Sequence, residues 1–232
     1  MNISRPYYSN LSLEDVELVI FDMDGLLLDT ERMSIEAWIK ACKEHGYYLD
    51  YNLAIQRIGT SRNTRDEFYE KYMGSDFPRE EVNKLRDQYF IEILDNSDTI
   101  LKDGVTETLN YLDYIGVNKA VATSTYRSRA TKLLKMTNIY NRFDLIICGD
   151  DVINSKPNPE IYNKVCSSLG ISKNKALVIE DSDIGALAAY NAGIRYILVP
   201  DLKPLPKKCI NNAHVVLKSL LNFKNVFVKE TR

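Results

Sequence analysis

The sequence predicts an α/β fold: a parallel sheet with helices on both faces, interrupted near its start by an all-helical insert. Three observations carry this. Short, continuous apolar runs alternate with helical patterns along most of the chain. Glycine stands just past the last turn of several of those patterns. Residues 32–98 carry helical patterns and no strand. Strands buried on both faces read as unbroken apolar runs, and parallel neighbours need a crossover between them.

Leu18-Val19-Ile20-Phe21 is the first such run. The insert follows it, with helical patterns over Met33–Glu44, Thr64–Met73 and Arg79–Leu94. Asn63 suits the cap of the second, and Pro78 the start of the third. Trp38 shares a face with Met33 and Cys42 and reads as packing. Alternation then resumes. Val105–Ile115 is a helix stopped by Gly116, and Ala120-Val121-Ala122 is a strand. Ser128–Met136 is helical, and Leu145-Ile146-Ile147-Cys148 is a strand. Pro159–Leu169 ends at Gly170, because glycine takes the left-handed conformation at little cost. Ala176–Ile179, a helix over Ile184–Ala192, Tyr196–Val199 and Val215–Leu217 complete the pattern, and Lys203–Lys207 reads as a loop. The division is therefore a core of 1–31 and 99–232 with a helical domain of 32–98.

Composition excludes several classes. Of 232 residues, 45% are hydrophobic, enough for a real core. Lys plus Arg number 30 against 32 Asp plus Glu, a net charge of −2, which argues against a nucleic-acid binder. No apolar run approaches the roughly 18 residues of a membrane span. The polar N-terminus has no apolar signal region. The four cysteines form no C-x-x-C pair, and there are only two histidines, so zinc is not expected. The expectation is a reduced, cytoplasmic protein that acts as a monomer, without membrane or nucleic-acid partners.

Four polar groups stand where apolar strands end: Asp22-Met23-Asp24-Gly25, Thr123-Ser124-Thr125, Ser155-Lys156-Pro157, and Glu180-Asp181-Ser182-Asp183. Each alone has a plain reading as a turn, helix caps, a solvated lysine or a solvated acidic turn. Together they converge, because the carboxyl ends of parallel strands form the ligand crevice. Carboxylates with no Cys or His among them suit a hard cation such as Mg²⁺. A hydroxyl and an ammonium suit phosphate oxygens. Two neighbouring aspartates suit a nucleophile and a proton shuttle.

In order and context, Asp22-x-Asp24-Gly25-x-x-x-Asp29-Thr30, Thr123, Ser155-Lys156-Pro157-x-Pro159 and Glu180-Asp181-Ser182-x-x-Gly185 resemble the four motifs of the haloacid dehalogenase-like superfamily. They are most similar to its phosphatase and β-phosphoglucomutase-like branch. The resemblance covers nearly the whole chain. It implies a Rossmann-like core, with 32–98 as the helical cap domain closing over the site. It implies Asp22 as nucleophile, forming a phosphoaspartate, and Asp24 as general acid and base. It implies Mg²⁺ held by Asp22, the Asp24 carbonyl and Asp181, with Glu180 direct or through water. Thr123, Ser124 and Lys156 are then the phosphoryl-binding residues. Asp24 separates this chain from the dehalogenases, which lack that residue.

Two positions depart from the branch. Asp103 stands where proline usually precedes Gly104-Val105, and Ser34 stands where the sugar phosphomutases carry a histidine. Arg62, after Ile58-Gly59-Thr60-Ser61, reads equally as a substrate contact or as a surface residue opening a helix. The expected activity is Mg²⁺-dependent hydrolysis of a small phosphorylated metabolite: a sugar, polyol or nucleoside phosphate. The alternatives are a β-phosphoglucomutase-like isomerase and a scaffold that kept the fold without turnover.

Overall fold

The computed structural model describes residues 16–57, 62–97 and 100–227. In chain order these form β1 (Leu18–Phe21), α1 (Thr30–Glu44), α2 (Tyr51–Ile55), α3 (Arg62–Met73), α4 (Arg79–Asp95), α5 (Val105–Tyr114), β2 (Asn118–Ala122) and α6 (Arg127–Met136). Then come β3 (Leu145–Ile147), α7 (Glu160–Leu169), β4 (Ala176–Glu180), α8 (Asp183–Ala192), β5 (Arg195–Leu198), α9 (Lys207–Asn212), β6 (Val215–Val216) and α10 (Phe223–Phe227). The chain divides into two compact units, one of which is Asp29–Ile100.

The other unit holds the sheet. Its order is β3-β2-β1-β4-β5-β6, with every pairing parallel. This is the doubly wound, Rossmann-like order, and the chain changes direction across the sheet at β1. All four residues of β1 are fully buried, which explains why the run carries no polar alternation. Leu18, Ile20, Ala120, Ala122 and Val178 pack with Ile161, Tyr162 and Val165 of α7 and with Ala186 and Ala189 of α8. Burying an aliphatic side chain of this size contributes about 1.5–3 kcal/mol.

Within Asp29–Ile100, α1 packs along α4. Trp38 is buried, with ring centroids 5.7 Å from Phe68 and 5.9 Å from Tyr69. The Arg57 guanidinium lies 4.1 Å over its ring. Trp38 thus packs, as its helical position predicts.

Local differences from the sequence reading have physical causes. Helix α1 opens at Thr30, ahead of Met33; Thr30 is buried but polar, so its turn leaves no apolar mark in the pattern. Helix α2 is too short to show a period; its start is set by Asp50, whose carboxylate accepts from Leu53 N at 2.9 Å. Asn63 lies inside α3, which opens at Arg62, so it does not occupy the cap position. Lys207 opens α9 directly after Pro206, so the loop stops one residue earlier than expected. Among the described residues, no helix is long and apolar enough to cross a membrane.

Candidate active site

The backbone ladder runs one residue past the strands and fixes the first site residues. Asp22 N donates to Ile179 O at 3.0 Å, and Thr123 N donates to Ile147 O at 3.0 Å. Beyond Asp22 the chain turns tightly: Leu27 N and Leu28 N both donate to Met23 O at 3.0 Å, and Gly25 N donates to Leu28 O at 2.8 Å. Gly25 has φ +88°, and a Cβ there would stand 2.3 Å from Asp181 Oδ2. Only glycine both adopts this turn and lets it lie against Asp181. The turn carries Asp24, whose Oδ2 accepts from Thr125 Oγ1 at 2.7 Å and from Thr123 Oγ1 at 3.3 Å.

Lys156 lies at the centre of the buried charges. Its ammonium donates to Asp22 Oδ1 at 2.6 Å, Glu180 Oε1 at 2.6 Å and Ala122 O at 3.0 Å. Three acceptors use its three protons. Glu180 is fully buried. Its Oε1 also accepts from Tyr162 OH at 2.6 Å, and its Oε2 accepts from Ser182 Oγ at 2.9 Å and Ser182 N at 3.3 Å. Ser182 Oγ in turn accepts from Gly185 N at 3.1 Å, capping α8. A Cβ on Gly185 would stand 1.8 Å from Glu180 Oε1. Glycine in the first turn of α8 is therefore what lets a buried carboxylate sit against that helix.

Burial pushes the Asp22 carboxyl up to about 8, against the pull of Lys156, while Glu180 and Asp24 add to the rise. Burial opposes the Lys156 charge, but Asp22 and Glu180 outweigh it and hold the ammonium well above its usual value. Burial, followed by the Glu180 charge, likewise holds the Tyr162 phenol well above its usual value. The cluster holds more acid than base: one buried ammonium faces Asp22 and Glu180, with Asp181 beside them.

Asp22, Glu180 and Asp181 each place an oxygen within 4.8 Å of the others. An all-oxygen set at that spacing, with an excess of negative charge, fits a hard divalent cation. A second set of possible ligands, Cys148, Asp150 and Asp151, is already engaged. Asp151 accepts from Cys148 N at 2.7 Å and from Arg127, and Asp150 accepts from Arg127 N at 2.9 Å. Burial pushes the Cys148 thiol up to about 11, so it is not a thiolate.

The structure thus brings Asp22, Asp24, Thr123, Lys156, Glu180 and Asp181 together at the carboxyl ends of β1, β2 and β4. Ser124 is exposed on the same loop as Thr123, and its carbonyl lies 2.2 Å from where a Cβ on Gly149 would be. The side chain of Arg62 lies outside the described residues. Two contributors were missed. Tyr162 lies within the Pro159–Leu169 helix, to which the sequence gives no site role, and Thr125 reads only as one of several possible caps. The available signal was that both carry hydroxyls beside motif residues.

Residues 19–199 match the family model described as haloacid dehalogenase-like hydrolase. The chain is 33% identical over 186 residues to a phosphorylated carbohydrates phosphatase of Thermotoga maritima, covering 78% of this chain and 84% of that protein. It is 31% identical over 180 residues to validoxylamine A 7′-phosphate phosphatase of Streptomyces hygroscopicus subsp. limoneus, covering 77% and 83%. Its fold is similar to that of CbbY from Rhodobacter sphaeroides, crystallised in complex with phosphate. That match has TM-score 0.73 at 23% identity, over 90% of this chain and 96% of that one.

Proposed function

The chain belongs to the haloacid dehalogenase-like hydrolases and is a phosphatase, and from that premise we propose that it hydrolyses a small phosphomonoester with Mg²⁺ through a phosphoaspartate at Asp22. The observation that carries this reading is the Lys156 ammonium 2.6 Å from both Asp22 and Glu180, with Asp181 in the same oxygen cluster. Sugar, polyol and nucleoside phosphates are the proposed substrate class. The phosphorylated carbohydrates in the name of the Thermotoga maritima relative support the first of these.

Asp22 attacks phosphorus as the ester P–O bond breaks, and Asp24 gives a proton to the departing alcohol oxygen. Asp24 then takes a proton from water as water attacks the phosphoaspartate and the Asp22–phosphorus bond breaks. Thr123 and the Ser124 segment bind the phosphoryl oxygens, and Lys156, whose three protons go to Asp22, Glu180 and Ala122, joins them by exchanging one of those bonds. Asp22, Asp181 and the Asp24 carbonyl would hold Mg²⁺. When bound, the cation offsets the repulsion between an anionic nucleophile and an anionic phosphate. Glu180 stands in the metal cluster by distance, but both its oxygens accept from protein donors. We assign it to holding Lys156, with any part in metal binding made through water.

Phosphate release from a panel of phosphorylated metabolites, with Mg²⁺ and with EDTA, tests the reading. The expected result is release that EDTA abolishes. β-Glucose 1-phosphate with a trace of glucose 1,6-bisphosphate tests the isomerase alternative. Ser34, where the mutases carry histidine, holds no positive charge at pH 7 with which to restrain Asp24. Release is therefore expected to exceed isomerisation, and the reverse would promote the mutase.

Metal binding should also release a proton. Asp22, pushed up to about 8 by burial, is mostly protonated below that pH, and Mg²⁺ must displace the proton. Affinity should therefore rise about tenfold per pH unit toward pH 8 and then level off. Calorimetry in two buffers of different ionisation enthalpy at pH 7 should show close to one proton released per Mg²⁺. A pH-independent affinity with no release would contradict this.

A further inference from the structure

We propose that Thr125 is a positioning residue for Asp24: its hydroxyl holds one oxygen of the acid–base carboxyl so that the proton is exchanged at the other. The inference rests on the reading of Asp24 as general acid and base. Three observations carry it. Thr125 Oγ1 donates to Asp24 Oδ2 at 2.7 Å, the shorter of the two hydroxyl bonds to that oxygen. The backbone of Thr125 is fixed on both sides, with its N–H donating to Thr123 Oγ1 at 3.0 Å and its carbonyl accepting from Gly149 N at 3.0 Å. Gly149 approaches the same loop so closely that a Cβ would stand 2.2 Å from Ser124 O. The hydroxyl is thus set by β2 and by the turn after β3, on rigid parts of the sheet unit.

The chemistry of a hydroxyl suits this task. Asp24 must be protonated before the ester bond breaks and ionised before water attacks. A lysine or arginine in this place would favour the ionised form and weaken the acid. A threonine hydroxyl carries no charge and donates to a carboxyl oxygen in either state. It fixes direction, and as a neutral donor it favours the ionised form far less than a cation would. Thr123 Oγ1, which also accepts from Thr125 N, makes the longer bond. Thr125 therefore carries the orientation.

The test is the dependence of kcat/KM on the leaving group across p-nitrophenyl, phenyl and p-methoxyphenyl phosphate, with Mg²⁺, for wild type, Thr125→Val, Thr125→Ala, Thr125→Ser and Asp24→Asn. p-Nitrophenolate leaves with little help from a proton, and the other two need it. Thr125→Val and Thr125→Ala should lose on the order of 10- to 100-fold for phenyl and p-methoxyphenyl phosphate. Their loss for p-nitrophenyl phosphate should stay within about threefold. Thr125→Ser should restore the wild-type dependence, and Thr125→Val should add little to the loss caused by Asp24→Asn. A uniform loss across the three substrates in both Thr125 variants, or no loss, overturns the proposal while Asp24→Asn still steepens the dependence. If Asp24→Asn leaves the dependence unchanged, the acid–base reading of Asp24 itself fails, and this proposal with it.

Discussion

Asp22→Asn is expected to lose at least about 10⁴-fold in kcat while the protein stays folded. The amide has nearly the size of the carboxylate but cannot form an acyl phosphate. Its backbone place is secured by the bond from Asp22 N to Ile179 O, which the substitution leaves intact. The stability change has a defined sign. Burial raises the Asp22 carboxyl to about 8 from an ordinary value of 3.8, so the folded state binds this proton more tightly than the unfolded chain. The stability this contributes is present below the ordinary value and is lost as pH rises toward 8. Asn carries no such dependence. In EDTA, the Tm difference between variant and wild type should therefore move in the variant's favour from pH 5 to pH 8. Appreciable steady turnover by purified Asp22→Asn removes Asp22 as nucleophile.

Lys156→Met should both inactivate and destabilise. It removes the only cation that donates to Asp22 and Glu180 among the described residues. Taking one partner from a buried ion pair costs about 3–5 kcal/mol, because the remaining charges are desolvated and unopposed. Here two carboxylates are left, and Glu180 keeps only Tyr162 and Ser182 as donors. Without the ammonium, the Asp22 carboxyl loses the charge that pulls it down and shifts further upward. The deficit should therefore be smaller at pH 5, where Asp22 is protonated in both proteins, than at pH 9, where Asp22 is ionised beside Lys156 in the wild type and still protonated in the variant. Urea unfolding at the two pH values measures it. An equal deficit at both would mean that Lys156 acts through packing. Activity near wild type would remove it from the phosphoryl site.

The sheet was legible because burial on both faces leaves an unbroken apolar run, as in Leu18–Phe21 and Ala176–Ile179. Its order was not, since pairing between β1 and β4 is a contact across more than 150 residues that periodicity does not report. The site was legible as a set of polar residues at strand ends. What the sequence could not distinguish was rank among the acids. Glu180 and Asp181 are neighbours with the same chemistry, yet the strand's alternation turns Glu180 inward to Lys156, Tyr162 and Ser182 and leaves Asp181 against Gly25. The tasks of Tyr162 and Thr125 depend on partners 18 and 101 residues away. Hydroxyls are common enough that neither declares itself by spacing. Gly185 could be read as a motif letter, but its reason, the carboxylate lying where its Cβ would be, exists only in three dimensions.

The central claim is that a phosphoryl group passes through Asp22. It is tested most directly by mixing enzyme, Mg²⁺ and a radiophosphate-labelled substrate identified in the panel, quenching in acid within the first turnover, and mapping the label by peptide. The account predicts label on the peptide containing Asp22, released by neutral hydroxylamine as an acyl phosphate is. The label should be absent in EDTA and in Asp22→Asn. Label on any other residue, or rapid turnover with none on the protein under conditions where hydrolysis of the intermediate limits the rate, would contradict it.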